Sequence, residues 1–124
     1  PGTHGNTFGG NPIACAAGIA TLDLLEGGLI ENAATVGAVL RARLEELAEA
    51  HPAVSDVRGL GLMLALEFVR PEHASALVTA AFRRGLLLLT AGARAVRLAP
   101  PLVLSAEEAE VGIEIIGDCL ADLR

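Results

Sequence analysis

At 124 residues, 52% hydrophobic and with a mean hydropathy of +0.54, the chain has the size of one domain and falls outside the disordered class. Its net charge of -6 is spread along the sequence without a basic stripe, which argues against a nucleic-acid partner. No apolar run approaches the roughly 20 residues of a bilayer-spanning helix, so no membrane partner is expected and the expected location is cytoplasmic.

In chain order, the polar stretch HGNTFGGNPIACAAG (residues 4 to 18) comes first, a loop ending in a helix start. Asn11 suits an N-cap and Pro12 the first helical position. Ile13, Ala16, Ala17, Ala20 and Leu24 then recur at helical spacing until Gly27-Gly28. A second helix carries Leu29, Ala33, Val36, Leu40, Leu44 and Leu47, and ends at His51-Pro52. Val54 to Val57 reads as a short strand, Arg58 to Gly61 as a turn or bulge, and residues 62 to 69 as a buried strand. Pro71 opens a helix carrying Leu77, Ala80, Ala81 and Phe82, closed by Gly85. Residues 86 to 90 and 95 to 100 read as two strands around an Ala91-Gly92-Ala93 turn. Ser105 and Glu108 form a capping box for a last helix whose face holds Ala109, Ile113, Ile116, Leu120 and Leu123. The order implies an α+β fold, with helices packed on a small, mainly antiparallel sheet. The high apolar content implies a face buried against another domain or subunit, unless it reflects only an alanine and leucine bias. The opening at Pro-Gly, without an initiator methionine, reads as a piece of something longer.

Few residues offer chemistry. Gly9-Gly10 ahead of a helix N-terminus suits an anion, with Asn6 and Thr7 able to add side-chain hydrogen bonds, although glycine before a helix is common. In AVRLAPPL, alternation puts Arg97 opposite Val96 and Leu98, beside Ala95 and Ala99. There a guanidinium can grip a carboxylate through two parallel hydrogen bonds, or can be an ordinary solvent-facing arginine on an edge strand. Arg58 reads as a structural partner of Asp56 or Glu67. His4, His51 and His73 are scattered without a nucleophile nearby, so no catalytic residue is assigned. Cys15 and Cys119 are expected as free, buried thiols, and no metal site is expected. All nine basic residues are arginine, and lysine is absent.

Three stretches in order, PGTHGNTFGGNPIACAAG, HPAVSDVRGLGLMLALEF and GLLLLTAGARAVRLAPPLVLSAEEAEVGIEIIGDCLADL, together resemble the carboxy-terminal third of class III aminotransferases. These are pyridoxal-phosphate enzymes of fold type I, and the likeness runs from the first residue to the last. Within the class it is to the 4-aminobutyrate, ornithine and acetylornithine group, leaning toward the 4-aminobutyrate type.

The resemblance implies a division into an interface loop and first helix (1 to 28) and a carboxy-terminal small domain (29 to 124). It implies a homodimer in which the His-Gly-x-Thr loop reaches the neighbouring subunit's cofactor. Thr7 takes the phosphate-binding threonine's position, Asn6 the variable position before it, and Arg97 that of the arginine binding a substrate carboxylate. The implied reaction moves an amino group from an ω-amino acid, 4-aminobutyrate- or acetylornithine/ornithine-like, to the 2-oxoacid 2-oxoglutarate. The lysine that holds pyridoxal phosphate would lie upstream, so this chain alone is expected to be inactive. A non-catalytic association module and a related aminomutase are the other readings.

Overall fold

The computed structural model describes Gly2 and residues 4–123. Asn11 starts the first helix, α1 (Pro12–Leu24), with its side-chain oxygen accepting from the backbone N–H groups of Ile13 and Ala14 at 3.0 and 3.2 Å. This satisfies two donors that a helix start otherwise leaves unpaired. No residue of α1 is buried, and Ile13, Ile19, Leu22 and Leu24 are all exposed. A wide turn over Leu25–Leu29 follows, and Gly28 leaves the helical path there with φ +125°.

Helix α2 (Ile30–Ala50) buries Val36, Leu40 and Leu44 along the stripe that its spacing marks, and His51 turns extended ahead of Pro52. Strands β1 (Val54–Leu60) and β2 (Met63–Phe68) form an antiparallel hairpin. Helix α3 (Pro71–Arg83) then crosses to β3 (Leu89–Ala91), which turns back into β4 (Ala95–Leu98). Helix α4 (Ala106–Ala121) closes the described fold, with both hydrogen bonds of the Ser105–Glu108 capping box present.

The sheet order is β1-β2-β4-β3, antiparallel throughout. One face is covered by α2, α3 and α4, where Phe68, Leu44, Leu66, Leu77, Ile116 and Val96 are fully enclosed. The fold is therefore α+β, as expected. Helix α2 approaches the hairpin so closely that a Cβ on Gly37 would collide with the Gly61 backbone. Asn32 of α2 donates to the carbonyls of Leu102 and Leu104, at 2.7 and 3.0 Å, holding the segment that follows β4.

Several expectations are corrected. Residues 86 to 88 are not strand, and the end of α3 claims the first of them: Gly85 N–H donates to Phe82 O and Leu86 N–H to Ala81 O, with Gly85 at φ +85°. That pair of bonds is the Schellman stop. Strand β1 runs through Arg58 to Leu60, and the turn is the two-residue Gly61-Leu62, with Gly61 at positive φ. The register irregularity falls between Val54 and Asp56 instead. Cys15 is exposed on α1, whereas Cys119 is buried. Phe82 is exposed, one step around α3 from buried Ala81. The helical stretch Pro12–Ala50 also contains a window of mean hydropathy 1.6, long and apolar enough by composition to cross a bilayer. Gly28 divides that stretch, and the 13 residues of α1 reach about 20 Å, short of a hydrocarbon core of about 30 Å.

Candidate functional site

The opening loop is a folded turn. Gly9 N–H donates to Asn6 O at 3.4 Å and Asn11 N–H to Phe8 O at 3.1 Å, with Gly10 at φ +78°. The Asn6 side chain lies over Gly9, so a Cβ there would meet its Oδ1 at 3.3 Å. Asn6 and Thr7 are both exposed, and among the described residues neither side chain makes a hydrogen bond. The first turn of α1 is already supplied with acceptors. Ile13 and Ala14 are taken by the Asn11 side chain, Cys15 N–H donates to Asn11 O at 2.9 Å, and Pro12 has no N–H. An anion at this loop would therefore meet Thr7, Asn6 and loop amides near the positive end of the helix, not the helix's own N–H groups.

Arg97 stands on β4, which lies between β2 and β3 and is not an edge strand. Its register partners are Ala65 on β2 and Leu89 on β3, so all three project from the face opposite the helices. Arg97 is exposed and makes no ion pair among the described residues. On the same face, Arg58 pairs with both Asp56 and Glu67, and Arg94 pairs with Glu67. Hydrogen bonds from Arg58 to those two carboxylates, Asp56 foremost, hold its guanidinium above its ordinary range. The expected structural role of Arg58 is thus observed.

Sequence reasoning left out the link from Glu67 to Arg94. Residues 62 to 69 read as a buried strand, and the strand buries one side only, with Leu64, Leu66 and Phe68 inward and Met63, Ala65 and Glu67 outward. The signal was the one charge at an odd position in that run.

No hydrogen bond or ion pair joins the opening loop to the sheet among the described residues, and α1 packs only on the wide turn after it. The structure does not bring Thr7 and Arg97 together. An open apolar groove of about 530 Å³ lies between α2 and the β1–β2 hairpin, lined by Leu25, Leu29, Ala33, Leu60 and Leu102 but by neither candidate.

The sequence model described as Aminotransferase class-III matches residues 1–120. Acetylornithine aminotransferase 1 of Bordetella pertussis is 50% identical over 94% of the chain and 29% of its own length. Acetylornithine aminotransferase of Caldanaerobacter subterraneus is 41% identical over the whole chain and 32% of its own length. Among solved structures, acetylornithine aminotransferase from Elizabethkingia anophelis superposes with a TM-score of 0.88 at 37% identity, covering 99% of this chain and 32% of that one. The chain thus spans about a third of the length of the curated relatives it matches. With its α+β body and its ordered motifs matched almost end to end, the chain belongs to the class III aminotransferase family.

Proposed function

We propose that this chain is the carboxy-terminal portion of a pyridoxal-phosphate-dependent aminotransferase that moves the ω-amino group of an acetylornithine- or ornithine-like donor to 2-oxoglutarate. The relatives' names favour that donor over 4-aminobutyrate. The single observation that carries the reading is Arg97, an exposed arginine on an inner strand without an ion pair among the described residues, in a chain of this family.

Its residues suit one end of the cofactor only. Among the described residues the Thr7 hydroxyl and the Asn6 amide have no hydrogen-bond partner, and both suit phosphate oxygens, while the chain has no lysine to hold the cofactor's aldehyde carbon. When bound, pyridoxal phosphate supplies the electron sink that lets a bond to the amino-bearing carbon break. Within this chain, Thr7 donates to the phosphate and Arg97 holds a substrate carboxylate through two parallel hydrogen bonds, fixing the substrate's direction.

Residues 1 to 28 form an interface loop and helix serving the partner's cofactor in a cytoplasmic homodimer, and residues 29 to 124 the small domain. The isolated chain is inactive. In the full-length protein, Arg97→Ala raises KM for the carboxylate substrate by about 10- to 100-fold, as expected for a charge-assisted pair, and leaves cofactor absorbance intact. Unchanged KM with normal cofactor binding would overturn the assignment. Thr7→Ala weakens cofactor retention instead.

The exposed apolar side chains of α1 favour a second reading, a non-catalytic association module. Sedimentation of the 124-residue chain as a dilute monomer counts against it.

A further inference from the structure

On the open face of the sheet, one carboxylate serves two arginines. Glu67 Oε2 lies 2.5 Å from an Arg58 terminal nitrogen, and Glu67 Oε1 lies 3.0 Å from one of Arg94. The same Arg58 nitrogen donates to Asp56 at 3.0 Å. The Glu67 side chain is 22% exposed, against 50% and 52% for its two arginines, so they cover it.

Two acids and two arginines cancel. Arg97 therefore carries the uncompensated charge of that face among the described residues. Arg58 and Arg97 are register partners of the same residue, Ala65, from opposite sides, which separates their strands by about 10 Å with one methyl group between them. Arg94 precedes Arg97 by three residues, in the turn that enters β4, and its carbonyl accepts from Phe68 N–H at 2.8 Å. Without Glu67, two further guanidinium groups would flank Arg97 with only Asp56 to offset them.

We propose that Glu67 is a specificity-determining residue: by occupying Arg58 and Arg94, it leaves Arg97 as the guanidinium available to an anion, so the face takes one carboxylate and not a second. The proposal rests on the reading of Arg97 as a carboxylate-binding residue. An ion pair this close to solvent contributes little to stability, so the consequence of the arrangement lies in the charge that the face presents.

The test is competitive inhibition of the full-length holoenzyme by glutarate and by valerate, which share a chain length but differ by one carboxylate. Glu67→Gln keeps the side chain's shape and releases one positive charge. It should improve glutarate relative to valerate by about three- to tenfold, the scale of one charge interaction near a surface. Arg94→Ala leaves Glu67 on Arg58, removes one positive charge, and should move the ratio the opposite way. This second variant keeps the test open should the first fail to fold. An unchanged glutarate-to-valerate ratio in the variants that fold and retain cofactor overturns the role of Glu67. If Arg97→Ala weakens neither inhibitor, the reading of Arg97 fails instead, and the two failures are distinct.

Discussion

Helices α1 and α2 are both rich in alanine and leucine, and they end in opposite conditions. Helix α2 shows its apolar residues as a stripe, and the sheet and α4 bury that stripe. Helix α1 is apolar on several sides, and not one of its residues is buried among those described. A stripe can be satisfied by one neighbouring layer, whereas a helix apolar all round needs cover from several directions. The contrast separates a body that builds its own core from an arm that packs only on the turn after it.

Substitutions test this contrast most strongly in the core. Phe68→Ala should cost the 124-residue chain about 3–5 kcal/mol in denaturant unfolding, whereas Ile19→Ala on the exposed arm should cost less than about 0.5 kcal/mol. Comparable losses would mean that the arm packs on the body. Gly37→Ala comes next, at about 1–3 kcal/mol, because its methyl group would enter the Gly61 backbone. The helix caps should divide in the same way. Ser105→Ala should lower global stability by about 1 kcal/mol. Asn11→Ala should speed amide exchange at Ile13 and Ala14 and leave the unfolding midpoint in place.

The smallest effect concerns the cysteines. Iodoacetamide should label Cys15 in the folded chain and reach Cys119 only on unfolding. Burial pushes the Cys119 thiol up, against the partial opposition of Arg84. The folded chain therefore holds that proton to higher pH than the unfolded chain does. Its contribution to stability is complete below the ordinary thiol range, near pH 8.5, and is lost as pH rises through the raised folded value. An alkaline fall in the unfolding midpoint that Cys119→Ser reduces checks the sign.

Where one local interaction decides the outcome, the sequence was sufficient. Asn11-Pro12 and Ser105–Glu108 start their helices as read, and the stripes of α2 and α4 are the ones the core buries. Long-range choices were harder to read. Leu86 to Leu88 have strand-like composition, yet the end of α3 claims Leu86, and this leaves a short edge strand. The exposure of Cys15 follows from α1 standing off the sheet, which no residue within the helix records. Arg97 was legible as an outward residue by alternation. Its inner-strand position was not, because strand order depends on where α3 crosses. The pairing of Glu67 with Arg94 joins two hairpins and has no local signature.

That inner position has a mechanical consequence. Strand β4 is laddered on both sides, so the backbone beneath Arg97 cannot shift without carrying β2 and β3 along. In any displacement of the sheet, the guanidinium travels with it as part of a rigid plate. Its coarse position is then set by the sheet, and its own side-chain torsions are left for the final alignment.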